Sequence, residues 1–278
     1  MPEAAPPGPV PSYVHLEVRR EGPVDWVRLN RPEVLNALND VLVDELLDYF
    51  GKLCFERAVR VVVMQGAGRA FCAGLDLKSA AGFAPGTDMG GPASNLLRQR
   101  RISEIVMRMR RVQQPIISLV RGAASGGGFA LALASDVRIA GKSARMNAAF
   151  IRIGLSGCDI GVSYFLPRLV GVSVASELLL TGRFIGAERA LRVGLVSEVV
   201  DDEALGAAAR SYIDDMLAAS PLGLRMTKEC LNHSIDAPSL EAAVAMEDRT
   251  QILCTQTNDV REAVAAFLAR RPAQFTDT

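Results

Sequence analysis

One carboxylate is conspicuous in this sequence because its neighbours are apolar. Asp159 lies in RIGLSGCDIGVSYFLPR, residues 152–168, and no basic residue follows it before Arg168. A buried carboxylate without a partner is costly, because burial removes its hydration. Asp159 is therefore either a turn residue that points to water or an acid–base group in a dry pocket. A pocket would raise its pKa, which suits a residue that both accepts and returns a proton.

Two glycine-containing loops could supply backbone amides to an anion. FCAGLD (71–76) and SGGGF (125–129) each follow a predicted buried strand. The amides exposed by this pattern are those of Ala73, Gly74, Gly126, Gly127 and Gly128. Two amides from separate loops that converge on one oxygen would form an oxyanion hole, whose charge stabilisation is often the largest catalytic contribution. Tight packing of helix against strand is the alternative use of the same glycines.

The sequence does not contain the residue patterns that nucleotide binding, serine or cysteine nucleophiles and metal sites need. A P-loop needs a lysine, but Gly128 and Phe129 follow Gly122-x4-Gly127, and GAASGGG has the wrong spacing for a dinucleotide fingerprint. Serine hydrolysis needs a histidine base, and the chain contains only His15 and His233, both expected at the surface. Cys158 has no evident base partner. No cluster of metal-ligand residue types is present in the sequence, so no metal is expected.

A basic helix is predicted over residues 96–114, which carry six arginines. They are Arg98, Arg100, Arg101, Arg108, Arg110 and Arg111. The first interpretation is a solvated face, or one that pairs with acidic residues of another subunit. Contact with an anionic ligand is the second.

Short buried strands alternate with helices in the first part of the chain, which indicates an α/β core. Strands are predicted at 13–20 and 24–30, joined as a hairpin, and at 60–66, 116–120 and 137–141, with a helix capped by Asn39 or Asp40. Glycine and proline predict a mobile loop at 82–94. Beyond residue 172 the spacing is helical, and 195–200 is the one strand-like segment there. We expect a proline-rich disordered tail at 1–12, an α/β core at 13–200 and a helical region at 201–278.

Composition narrows the class of protein. Lys+Arg and Asp+Glu both number 31, so the net charge is zero and no global field favours nucleic acid or an anionic membrane. No apolar run in the sequence is long enough and free enough of charge to predict a membrane span. The five cysteines contain no C-x-x-C pair and fit a reducing, cytoplasmic setting. The first residues do not have the pattern of a signal peptide.

Four segments together resemble the enoyl-CoA hydratase/isomerase, or crotonase, family. They are LNRPEVLNALN (29–39), GAGRAFCAGLDLK (66–78), PIISLVRGAASGGG (115–128) and LLLTGRFIGAERALRVGLVSEVV (178–200). The resemblance implies a spiral of ββα units with C-terminal helices used in trimerisation. The partner would be an acyl-CoA thioester, with coenzyme A as part of the substrate and no separate cofactor. A homotrimer or a dimer of trimers is expected.

The resemblance also assigns roles to individual residues. By motif match, the amides of Ala73 and Gly127 form the oxyanion hole that stabilises a thioester enolate. The coenzyme A path would be lined by Val34, Leu35 and Ala37 and by the segment Ala73, Gly74, Leu75, Asp76 and Leu77. Asp76 is expected to shape its loop rather than to transfer protons.

The chain departs from the family's hydratases at both catalytic glutamates. Ala130 stands two residues after the glycine triplet, and Phe150 stands four residues before Gly154. Hydration by that mechanism needs two carboxylates to position and activate one water. Asp159, counted back from LPR, matches an aspartate of family members that isomerise double bonds, although counted forward from Gly154 it is one position late. We therefore expect double-bond isomerisation of an unsaturated acyl-CoA with Asp159 as acid and base. Enoyl-CoA hydration and acyl-CoA binding without catalysis are the alternatives.

Overall fold

The computed structural model describes residues 12–78 and 91–278. Its strands are β1 (Leu16–Glu21), β2 (Val24–Leu29), β3 (Val61–Gly66), β4 (Ile116–Val120), β5 (Ala123–Ser125), β6 (Val137–Gly141), β7 (Arg145–Asn147), β8 (Ile185–Gly186) and β9 (Glu198–Val200). Its helices are α1 (Asp40–Leu53), α2 (Pro92–Arg111), α3 (Gly127–Ala134), α4 (Val162–Thr181), α5 (Ala187–Arg192), α6 (Leu205–Leu217), α7 (Pro221–Ser234), α8 (Leu240–Thr255) and α9 (Asn258–Leu268). Short 3-10 helices span Pro32–Val34, Ala149–Ile153 and Asp202–Ala204.

A six-stranded sheet forms the centre, in the order β1-β2-β3-β4-β6-β9. The hairpin β1–β2 is antiparallel, as predicted, and each of the other neighbouring pairs is parallel. Parallel strands require crossover segments, and here these contain the helices that follow β2, β3, β4 and β6. The smaller sheet has the order β5-β7-β8. Its strands β5 and β7 follow β4 and β6 of the first sheet along the chain.

Alternating side chains of the central strands are buried on both faces of the main sheet. Val62 and Met64 of β3 pack into the larger core together with α1 and α2. Val61 and Val63 point the other way and pack against Leu205, Ala209 and Ile213 of α6. Because both faces are covered, β3 and β4 are mostly apolar rather than alternating in polarity.

Most predicted elements are confirmed, with small shifts of their ends. The side chain of Asn39 caps α1 by accepting the N–H of Leu42 at 2.9 Å. The strands β5, β7 and β8 were missed, because segments of two or three residues carry too little periodicity. The loop predicted at 82–94 is wrong at its end, since α2 begins at Pro92. The rest of that loop, and all but the last residue of the predicted tail, lie outside the described residues.

Helix α4 requires a correction about membrane spans. Among the described helices it alone has the length and mean hydropathy to cross a bilayer, contrary to the expectation from the sequence. It is, however, broken at Gly171, where φ is 76° and ψ is 159°. The two halves are each shorter than the roughly 20 residues that a span needs. Val162 and Leu166 of its first half are buried in the core.

The C-terminal region is helical, as predicted, but its helices differ in burial. Helix α6 packs on the main sheet and so belongs to the core of the fold. Helix α8 has no buried residue, and Phe267 and Leu268 at the end of α9 are 82% and 77% exposed. The boundary predicted at residue 200 stays a prediction.

Candidate active site

One cavity of about 520 Å³ lies where the segments singled out by the sequence meet. Its walls come from the β3–α2 connection, the first half of α2, the start of α3, and the segment between β7 and α4. The lining residues are mostly apolar, and the polar side chains among them are Asn95, Arg98, Gln99 and Asp159. The cavity is therefore an apolar pocket with a few polar groups, which is the usual character of a small-molecule site.

The two glycine loops pack directly against each other at this cavity. Cys72 donates its N–H to Ala123 O at 3.1 Å and accepts the N–H of Ser125 at 2.9 Å, so FCAG forms a short ladder with β5. Gly74 has φ of 95°, and a Cβ there would lie 2.7 Å from Ser125 O and 3.3 Å from Gly127 N. A glycine is needed at 74 because any side chain would separate the loops and would strain the backbone.

The structure corrects which amide of the first loop is available. The N–H of Ala73, predicted as an oxyanion donor, donates to Leu35 O at 2.9 Å and is already used. Leu75 pairs with Leu38 as an isolated parallel bridge, whose two hydrogen bonds use Gly74 O and the Asp76 N–H. The N–H of Leu75 therefore faces away from Leu38, and it has no acceptor among the described residues.

The second available amide is that of Gly127, as predicted. Gly127 is the first residue of α3, where N–H groups have no partner within the helix. Gly126 before it has φ of 51° and ψ of −117°, a backbone conformation that a side chain would disfavour. No described residue accepts the Gly127 N–H. Two unused amides, of Leu75 and Gly127, thus come from adjacent segments at the cavity wall, with the positive end of the α3 dipole behind one of them.

Asp159 lines this cavity and is half-buried rather than exposed at a turn. Its Oδ1 accepts the Gln99 Nε2–H at 2.6 Å and the Ile160 N–H at 2.8 Å. Burial raises the pKa of the Asp159 carboxyl above its usual range, and the hydrogen bonds from Ile160 and Gln99 oppose that rise. The Ile160 side chain reaches toward Gly127, with Cδ1 3.6 Å from the Cβ position of that glycine. This packing keeps the Asp159 segment close to the start of α3.

The two positions of the hydratase glutamates hold apolar side chains in the fold. Ala130 is fully buried inside α3. Phe150 is 6% exposed and lines the cavity. Its Cε1 lies 3.4 Å from the position that a Cβ on Gly126 would occupy. Asp159 is the one carboxylate among the described residues that line the cavity. An apolar ring at 150 leaves no acid there to bind a water.

The residues predicted to bind coenzyme A divide into two groups. Ala73, Gly74, Leu75 and Leu77 line the cavity, whereas Val34, Leu35, Ala37 and Asp76 do not. Leu35 nevertheless supports the site through its carbonyl, which holds Ala73. Asp76 forms an ion pair with Arg31 at 3.0 Å and accepts the Lys78 N–H at 3.2 Å. These contacts fit the loop-shaping role predicted for Asp76.

Among the remaining sequence candidates, His15, His233 and Cys158 lie outside the cavity. His233 and Cys158 are exposed, and the described residues contain no group of three or more side chains that could hold a metal ion. Among the arginines of α2, Arg98 and Arg101 approach Asp40 of α1, and Arg108 pairs with Glu104 at 3.3 Å. Arg98 also lines the cavity. Gln99 was missed by sequence analysis, because it lies in this arginine-rich segment and its partner is 60 residues away.

The fold and cavity define a class of α/β proteins in which two backbone amides and one carboxylate face an apolar pocket. Sequence comparison identifies the family: a model of the enoyl-CoA hydratase/isomerase family matches residues 19–278. The chain therefore belongs to the enoyl-CoA hydratase/isomerase family, and it is an acyl-CoA enzyme of that family with the crotonase fold.

Relatives carry both hydratase and isomerase names. The chain is 40% identical over 252 residues to the probable enoyl-CoA hydratase EchA12 of Mycobacterium tuberculosis, which covers 90% of this chain and 88% of the relative. It is 36% identical over 250 residues to the 1,2-epoxyphenylacetyl-CoA isomerase of Escherichia coli, with 89% and 93% covered. The crystal structure of a probable enoyl-CoA hydratase/isomerase from Mycobacterium abscessus superposes with a TM-score of 0.86 at 35% identity, covering 95% of this chain and all of that one.

Proposed function

We propose that this enzyme isomerises the double bond of an unsaturated acyl-CoA, with Asp159 as the single acid–base residue. The observation that carries the proposal is the pairing of one cavity-lining carboxylate with apolar residues at both hydratase positions, Ala130 and Phe150. Moving a proton along the acyl chain needs one group that accepts it and returns it. Hydration by the two-carboxylate mechanism needs a second acid.

The proposed reaction balances without a co-reactant. Asp159 takes a proton from C2 of a 3-enoyl thioester, and the C–H electron pair enters a dienolate whose charge lies on the thioester oxygen. The N–H groups of Leu75 and Gly127 donate to that oxygen. Asp159 then returns the same proton to C4, and a 2-enoyl thioester is released. The raised pKa of Asp159 supports this cycle, because it brings the carboxyl closer to a pKa at which both transfers are feasible.

Hydration is the rival within the same family, and the hydratase names of several relatives favour it. The test offers purified protein 3-enoyl-, 2-enoyl- and dienoyl-CoA. Double-bond migration is expected without formation of a 3-hydroxyacyl product. Accumulation of the 3-hydroxyacyl thioester as the main product would contradict the proposal. Binding of the thioesters without turnover would instead favour an acyl-CoA-binding protein without catalysis, which is the alternative that the absence of both glutamates suggests.

The role of Asp159 is tested by Asp159→Asn. We expect kcat for isomerisation to fall by about 100-fold or more, because removal of a general acid–base group has effects of this size. Asp215→Asn on α6 is the matched control, since Asp215 is exposed and distant in sequence from the cavity segments. Equal turnover in the two variants would remove Asp159 from the mechanism.

We also propose that the enzyme acts as a homotrimer or as a dimer of trimers in the cytoplasm, using an acyl-CoA as substrate and no separate cofactor. Family resemblance supports the assembly, and the exposed apolar residues of α8 and α9 fit it. All five cysteines are free, which agrees with a reducing compartment.

A further inference from the structure

The carboxylate of Asp159 is held through one of its two oxygens. Oδ1 accepts both available hydrogen bonds, from Gln99 Nε2 at 2.6 Å and from Ile160 N at 2.8 Å. Oδ2 accepts none from the described residues. Since Asp159 lines the cavity, this arrangement divides the work between the two oxygens: one is fixed to the protein and the other remains available to a ligand.

The two donors come from different parts of the fold. Gln99 belongs to α2, a 20-residue helix anchored in the core by Ile102, Ile105 and Met109. Ile160 lies between a 3-10 helix and α4 and has φ of 46°, a strained value for a β-branched residue. Such strain persists where the surroundings hold it in place, and it is concentrated at functional sites. The side chain of Gln99 is the contact through which α2 holds this segment at the carboxylate.

The side-chain donor to Asp159 is the neutral amide of Gln99, although the preceding residue in the helix, Arg98, carries a guanidinium. Arg98 precedes Gln99 and also lines the cavity, but its Nη2 bonds to Asp40 at 3.3 Å. A cation on Asp159 would strongly favour the ionised carboxylate and would hinder proton uptake. A neutral amide fixes the orientation of the carboxylate and favours its charged form much less.

We propose that Gln99 is a positioning residue for the isomerisation: it holds Oδ1 of Asp159, so that Oδ2 is the oxygen that takes the proton from C2 and returns it to C4. This inference rests on the proposed function, because it assigns a partner to the acid–base residue named there. Gln99 does not exchange the proton itself, since an amide is not a titrating group in this range.

The test replaces Gln99 with leucine, which keeps similar bulk and removes the hydrogen bond. Gln113→Leu is the matched control, because Gln113 is exposed and follows the end of the same helix. Two quantities are measured: the pH dependence of kcat, and the titration of Asp159 by carbon NMR on protein with labelled aspartate carboxyls. Thermal unfolding confirms that the variants fold.

In Gln99→Leu we expect kcat to fall about tenfold to 100-fold with little change in KM, because the carboxylate loses its fixed orientation. The titration midpoint of Asp159 and the acid limb of the pH profile should both move to higher pH, since a hydrogen bond to the charged form is lost. In Gln99→Glu, a second carboxylate next to Oδ1 should move the titration midpoint and the acid limb to still higher pH. Gln113→Leu should leave all of these values as in the wild type.

Failure of this inference is distinguishable from failure of the proposed function. A titration midpoint and an acid limb that stay in place in Gln99→Leu would overturn the role of Gln99, even if kcat fell. Full turnover in Asp159→Asn would overturn the proposed function instead. With Asp159→Asn as background, Gln99→Leu should have little further effect on kcat, because the two residues act as one unit. A full additional loss would show that Gln99 acts elsewhere.

Discussion

Burial and hydrogen bonding act in opposite directions on Asp159. Loss of hydration raises the pKa of the carboxyl, while the N–H groups of Ile160 and Gln99 stabilise its charged form. The net rise means that the folded protein carries a cost for the ionised carboxylate at neutral pH. Costs of this kind are characteristic of residues whose environment serves chemistry rather than stability.

A prediction for stability follows at the residue scale. Because the folded pKa of Asp159 is raised, the native state holds its proton to higher pH than the unfolded chain does. The contribution of Asp159 to the free energy of unfolding therefore falls as pH rises from the unfolded to the folded pKa, and the cost is fully present above the folded pKa. Asp159→Asn keeps an acceptor for Gln99 and removes the charge, so it should be as stable as the wild type at pH 7 or more stable.

Chemical denaturation at two pH values measures this difference. The advantage of Asp159→Asn should shrink below the ordinary aspartate pKa of about 4, where both forms are neutral. Asp215→Asn, at an exposed position far in sequence from the cavity segments, is the control for the substitution itself. A lower free energy of unfolding for Asp159→Asn at pH 7 would contradict a net cost of the buried charge.

At the scale of elements, the site depends on the contact between the FCAG loop and β5. The backbone bonds of Cys72 to Ala123 and Ser125 align the loop, and Leu35 O and Leu38 hold its other side. The loop is thus clamped between two segments, which leaves the Leu75 amide unpaired at the cavity. Backbone hydrogen bonds rather than side chains preorganise this loop. The residues around Gly74 can therefore vary, whereas Gly74 cannot.

Gly74→Ala is predicted to damage both stability and turnover. The added Cβ would lie 2.7 Å from Ser125 O at a backbone φ of 95°. We expect a loss of about 3 kcal/mol in the free energy of unfolding and a fall in kcat, because the Leu75 and Gly127 amides would move apart. Gly22→Ala is the control: φ is 56° but no atom lies within 4 Å of the new Cβ. It should lose only about 1 kcal/mol. Equal losses in the two variants would argue against the close approach of the loops.

At the scale of the whole molecule, several strongly exposed apolar side chains lie in the C-terminal helices. Leu253 of α8 is 56% exposed, and Phe267 and Leu268 of α9 are 82% and 77% exposed. Contiguous apolar surface marks an interface, whereas single exposed apolar residues are ordinary. It supports the proposed assembly of several copies of this chain.

Light scattering with size-exclusion chromatography tests the assembly. The wild type should have three or six times the 29.8 kDa mass of one chain. Phe267→Asp should shift the population toward smaller species, because a charge would be buried in the interface. Phe55→Asp is the control, since Phe55 is 89% exposed but lies in the connection after α1. A wild type that elutes as a monomer would contradict the proposal.

Sequence reasoning succeeded where the signal is local. Short apolar, β-branched runs gave β3, β4 and β6, and the Asn39 side chain caps α1 as its residue type predicts. It failed where the outcome depends on packing between distant segments. The two-residue strand β8 has no periodicity of its own, and α6 could not be recognised as part of the sheet's core from its helical spacing alone.

The sequence by itself determined the family, the alternating α/β core, the two glycine-containing loops, and the absence of both hydratase glutamates, because these follow from residue types and short spacings. Only the tertiary structure decided that Leu75 rather than Ala73 has the unused amide, and that Gln99 holds Asp159. Both depend on which carbonyl or side chain from a remote segment reaches a given atom. That is fixed by the register between segments, which no local pattern encodes.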